Sequence, residues 1–149
     1  MRDALSTSLS AALLHEVPVS SWSMPRVPES AGLARCLVRE ALGSWELPGL
    51  VDGVTLVVTE LVANAAEHAR PPEGHVHGGT IRVTVSLVEP DRVRVAVVDL
   101  DRTEPVLGVP AADDEERGRG LALVAALSVS WGVEPLGWGK RVWAELEAV

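Results

Sequence analysis

Glu60, Asn64 and His68 recur at i, i+4 and i+8. On a helix that spacing stacks a carboxylate, a carboxamide and an imidazole along one side. The turn before Glu60 holds Leu56, Val57 and Val58, so no charged stripe continues there. A carboxylate in such apolar surroundings is costly without a partner or a task. Asn64 is the chain's only asparagine, at a mid-helix position where asparagine competes for backbone hydrogen bonds. The same three positions also read as an ordinary solvated face, which Glu67 beside His68 favours in the last turn. Two further places could bind a ligand. Gly118-Arg119-Gly120 precedes the apolar run from Leu121, and closely spaced glycines at a helix start let backbone amides approach a phosphate; a plain tight turn reads equally well. Asp99 ends the run Val95–Val98 and could accept a hydrogen bond from a ligand amino group, or could simply end a strand.

The elements that carry these residues follow from period and punctuation. A short strand is expected near Ser20–Met24. Ser30 is the expected N-cap of a helix from Ala31 to about Leu42, where Ala34, Leu37, Val38, Ala41 and Leu42 recur at helical steps. Gly43 and Pro48-Gly49 mark its end. A second helix opens at Asp52 and runs from about Val54 to Ala69, stopped by Pro71-Pro72. Ile81, Val83, Val85 and Leu87, then Val93, Val95 and Val97, alternate with polar residues across the turn Glu89–Arg92, which predicts an antiparallel hairpin. An acidic loop spans about 101 to 117, and the glycine turn leads into a third helix, Leu121 to Leu127. Strands Ser130–Glu134 and Lys140–Glu147 close the chain. Trp131 and Trp143 read as core on these strands; Trp22 and Trp138 read as partly buried by default, with an interface role as the other reading. The pattern predicts an α+β two-layer sandwich: a mixed, mostly antiparallel sheet covered by three helices.

The chain has 149 residues and a formal net charge of −8, which suits one globular domain and argues against a direct nucleic-acid binder. Residues 1–20 read as a poorly ordered tail and 21–149 as the domain. A lone cysteine, Cys36, excludes an intramolecular disulfide and fits a cytoplasmic location. No apolar stretch approaches the roughly 20 residues that span a bilayer, so no membrane association is expected. His68, His75 and His77 have no clear metal-ligand geometry.

Taken together, four segments resemble the histidine-kinase-like ATPases, in particular the stand-alone anti-sigma-factor serine kinases. They are Glu60–Ala69, Val97–Asp99, Gly118–Val124, and Trp131–Val133 with Gly139–Leu146, in the family's order over about residues 30 to 147. The resemblance implies ATP and Mg²⁺ as ligands. It gives Asn64 the metal, Glu60 the role of general base toward a protein serine, and Asp99 the adenine amino group. Gly118 and Gly120 would let the backbone wrap the phosphates, with Arg119, Leu121, His68 and Lys140 beside the nucleotide. Residues 102–117 would be the ATP lid. Arg141 stands where a small Ser or Thr is usual, and Leu100-Asp101 follows Asp99 without the family's glycine. The implied function is phosphoryl transfer to a small anti-anti-sigma-like partner, with sequestration of a sigma factor, and a homodimer is compatible with it. The alternative is a nucleotide-sensing binding module without useful kinase activity.

Overall fold

The computed structural model describes residues 18–68, 79–99, 114–137 and 139–148, and the side chains among them except those of His68 and residues 114–119. Strand β1 (Val19–Pro25) leads into helix α1 (Ser30–Ser44), a 3₁₀ turn at Pro48–Leu50 and helix α2 (Val51–His68). The hairpin β2 (Thr80–Glu89) and β3 (Arg92–Asp99) follows, then helix α3 (Asp114–Leu127) and strands β4 (Ser130–Leu136) and β5 (Gly139–Glu147). The sheet order is β1-β2-β3-β5-β4, and every pairing is antiparallel. The sandwich is therefore the expected one, without the parallel component that a mixed sheet would have. Most of the expected tail, residues 1–17, and the histidines His75 and His77 lie outside the described residues.

Helix α1 buries Ala34, Val38, Ala41 and Leu42, as its period requires. Its start differs from expectation. Glu29 is the N-cap without a side-chain bond, and Ser30 is already helical, its hydroxyl donating to the Pro25 carbonyl at 2.5 Å. Its end also differs: Gly43 stays helical, and Glu46 takes the left-handed conformation at φ 56°. The Leu47 amide then reaches back to the Leu42 carbonyl at 3.2 Å, which also accepts from the Trp45 amide at 3.2 Å, and so closes the helix end.

Helix α2 is the centre of the helical layer, packed against α1, α3 and strands β3 and β5. Val54, Val57, Val58, Leu61, Val62 and Ala65 lie in the core. A Cβ at Gly53 would meet Leu146 Cδ2 at 3.1 Å, so the start of α2 approaches β5 closely. The expectation that no apolar stretch approaches spanning length does not hold: by length and composition Pro48–Glu67 could cross a membrane, and here its apolar side is the core of the domain.

Directly paired residues on antiparallel strands share a sheet face. Val83, Val97 and Val142 therefore face the helices together, as do Ile81, Asp99 and Lys140. The opposite face carries Arg82, Arg94, Arg141 and Trp143. This places Trp143 outside the core, contrary to expectation: its ring is half-buried on the open face, with the Arg94 guanidinium 4.5 Å from its centroid. Gly132 lies against it, where a Cβ would stand 3.1–3.2 Å from the indole. Trp131 is also not core, being 36% exposed on the edge strand β4. Trp22 and Trp45 are half-buried against the core, and Trp138 lies outside the described residues.

Candidate functional site

Glu60 and Asn64 sit one turn apart on α2, both half-buried, flanked in sequence by the buried Leu61, Val62 and Ala65. Facing them is Gly120 of α3. A Cβ on Gly120 would lie 2.6 Å from Glu60 Oε2 and 3.9 Å from Asn64 Nδ2. One turn on, Val124 is fully buried, so the Gly120–Val124 side of α3 is the one that packs inward. The carboxylate and carboxamide are thus held between two helices, in space that any larger residue at 120 would fill.

The second group surrounds Asp99, which is 6% exposed at the end of β3. Arg26, just beyond β1, crosses the start of β2 and donates from Nη1 to Asp99 Oδ1 at 3.2 Å; the side chains are 0% and 9% exposed. Lys140 stands directly across the ladder from Asp99, on the same face. Arg141, which stands where the family usually has a small Ser or Thr, is one residue out of phase with Lys140. It points to the open face and donates to Glu134 Oε2 at 2.8 Å. Of these two basic residues, Lys140 shares the face of the carboxylate.

Helix α3 begins at Asp114, seven residues earlier than expected. Residues 114–117, expected at the end of the lid, form its first turn. Gly118, Arg119 and Gly120 therefore lie within its first two turns instead of in a turn before it. A helix engages its amides from about the fifth residue onward, so Gly118 and Gly120 stand within the helical ladder and not in a turn before it. Leu121 is half-buried beside Gly120. His68 is the last residue of α2; its side chain, that of Arg119 and the lid residues 102–113 lie outside the described set.

Arg26 is the residue that sequence reasoning missed. Its signal was a lone charge in the apolar stretch Met24–Pro28, between two prolines. Elsewhere, Glu89, Asp91 and Glu147 cluster with ligand atoms within 4.8 Å of one another, but Arg92 already reaches Glu147 at 3.6 Å, and exposed acidic groups commonly gather without an ion.

The donor set on α2 fits a magnesium-bound nucleotide. Hard cations take oxygen ligands such as a carboxamide or carboxylate, and the Gly120 backbone leaves room where a side chain would intrude. A model of the histidine kinase-like ATPase domain matches residues 24–144, spanning both groups. The chain belongs to the histidine kinase-like ATPase domain family. An uncharacterized protein of Streptomyces coelicolor is 38% identical over 89 residues, 59% of this chain and 79% of that protein. Among solved structures, the RsbU and RsbW domains of Rv1364c from Mycobacterium tuberculosis match with a TM-score of 0.65 and 21% identity, over 87% of this chain. The histidine kinase domain of a blue-light activated kinase from Erythrobacter litoralis matches with a TM-score of 0.51 and 23% identity, over 67% of this chain. This ATPase domain spans 32% and 45% of those two chains, and the likeness to them is one of fold.

Proposed function

We propose that this chain is an ATP-binding regulatory protein that transfers the γ-phosphoryl group of Mg·ATP to a serine of a small partner protein, in the manner of the anti-sigma-factor serine kinases. The observation that carries the reading is the confinement of Glu60 and Asn64 against Gly120. The Asn64 carboxamide oxygen would hold the magnesium ion. When bound, that ion neutralises phosphate charge and orients the phosphates. Glu60 lies one turn away on the same helix, where its carboxylate accepts the proton of the attacking serine hydroxyl. Asp99 accepts a hydrogen bond from the base amino group, with Lys140 on the same face. His68, Arg119 and Leu121 border the phosphate side in this reading.

The RsbU and RsbW neighbour supports a partner-switching role. An anti-anti-sigma-like protein is the proposed substrate and a sigma factor the proposed second partner. Incubation with labelled ATP and such a partner tests the proposal. Label should pass to the partner's serine, and Glu60→Gln should reduce transfer at least about a hundredfold while nucleotide binding stays. Binding without transfer by the wild-type protein would instead identify a nucleotide-sensing module. That second reading is favoured by the start of α3 at Asp114, which puts the glycine segment inside a helix.

A further inference from the structure

Between Asp52 and Glu67, Glu60 is the only charged residue of α2. An amphipathic helix keeps polar side chains on the face it turns to water. One turn before Glu60, about 6 Å along the axis, α2 instead presents Leu56, which is 49% exposed. The neighbouring helix repeats the feature. Helix α2 starts beside the end of β5, where a Cβ at Gly53 would meet Leu146, and Gly120 of α3 faces Glu60 and Asn64 farther along. The strand that follows α3 opens at that same end of β5, with Ser130 paired to Glu145. Helix α3 therefore runs from Gly120 back toward the start of α2. Leu127 lies about 10 Å beyond Gly120 along α3 and has returned to nearly the same side, which brings it level with Leu56. It is 36% exposed, whereas Val124 before it is fully buried. Two leucines thus stand in water at one end of the groove between α2 and α3.

What covers them follows from direction. Asp99 pairs with Lys140 at the opposite end of β5, so a nucleotide held by Asn64 and Asp99 extends away from the leucines. In phosphoryl transfer the attacking and leaving oxygens lie roughly in line. The acceptor hydroxyl therefore approaches from the side of Glu60 that the nucleotide does not occupy, and Leu56 and Leu127 lie on that side. We propose that these two leucines form the docking subsite for the serine-bearing partner protein and receive an apolar side chain next to its phosphoacceptor serine. Exposed Asp52 and Glu67 flank the stretch, and the chain carries a net charge of −8, so the partner surface around that apolar contact is neutral or basic and not acidic. The inference rests on the reading of Glu60 as the base and names the surface that brings the serine to it.

Steady-state transfer from labelled ATP to an anti-anti-sigma-like protein tests it, with the wild type, Leu56→Ser, Leu127→Ser and Leu33→Ser compared. Leu33 lies on α1 and is 49% exposed, like Leu56, so it is the matched control. The KM for the protein substrate should rise at least about fivefold in Leu56→Ser and in Leu127→Ser, the loss expected for a contact at the centre of an interface. Their kcat should stay within about twofold of the wild type, because the contact is made equally before and during transfer. Leu33→Ser should behave as the wild type, and calorimetry should give one ATP affinity for all of them. An unchanged KM in either folded variant, or an equal rise in Leu33→Ser, overturns the subsite and leaves the transfer reading standing. No transfer by the folded wild type overturns the reading of Glu60 and the subsite with it. Sedimentation of the proteins alone adds a further check. Self-association that Leu56→Ser abolishes, with the KM unchanged, would give the patch to a second copy of the chain and refute the proposal.

Discussion

Gly120 and Glu60 define how closely α3 can approach α2: a methyl group at residue 120 would stand 2.6 Å from Glu60 Oε2. The atom it meets is the end of a flexible side chain, so the conflict is resolved by moving the carboxylate and not the helix. That makes position 120 a means of displacing Glu60 without unfolding the protein.

Gly120→Ala should therefore change stability by no more than about 1 kcal/mol, since alanine's helix preference offsets the local crowding. With Glu60 as the proposed base, phosphoryl transfer should fall at least about tenfold as its carboxylate is displaced. Thermal unfolding and a transfer assay on the same preparation check the two halves separately.

The register of β5 separates two neighbouring basic residues. Lys140→Ala should weaken ATP binding several-fold, whereas Arg141→Ala should leave it within about twofold. Arg141 is on the far face, and its exposed pair with Glu134 contributes about 1 kcal/mol or less to stability. Parallel titrations of the two variants decide it. Equal effects would place the nucleotide elsewhere.

On the open face, Gly132→Ala should destabilise by about 1–3 kcal/mol, because a Cβ would press on the rigid Trp143 ring. Arg94→Ala removes a stacked cation worth about 0.5–1 kcal/mol. Neither substitution should alter nucleotide affinity. Denaturant unfolding followed by tryptophan fluorescence, with ATP titration alongside, measures both.

Leu61→Ala, adjacent to Glu60 but facing the core at 1% exposure, should cost about 2–5 kcal/mol through the cavity it leaves. The check is chemical denaturation, in which the midpoint should move and the slope should not.

Much of this was legible in the residues. The hairpin was written in the alternation from Ile81 to Val97, and α2 in a periodic run too long for a strand and closed by Pro71-Pro72. The placement of Trp143 was legible in principle. It is in phase with Arg141 and Glu145, not with Val142, Ala144 and Leu146, and the strand period of two sends those sets to opposite faces. The same parity puts Lys140, and not Arg141, beside Asp99. The start of α3 was misread because Gly118 and Gly120 count as helix breakers locally. Packing of Gly120 and Val124 against α2, and acidic residues 114–116 at the helix start, outweigh that cost. The Arg26–Asp99 pair joins residues 73 positions apart, and no local pattern specifies it.

The proposed hold of Asn64 on a magnesium-bound nucleotide is tested most directly by calorimetric titration of ATP into the wild-type protein and Asn64→Ala, with and without Mg²⁺. Binding by the wild type should strengthen with Mg²⁺, and a folded Asn64→Ala protein should lose that magnesium dependence. Identical magnesium dependence in both proteins, or no binding by the folded wild type, would contradict it.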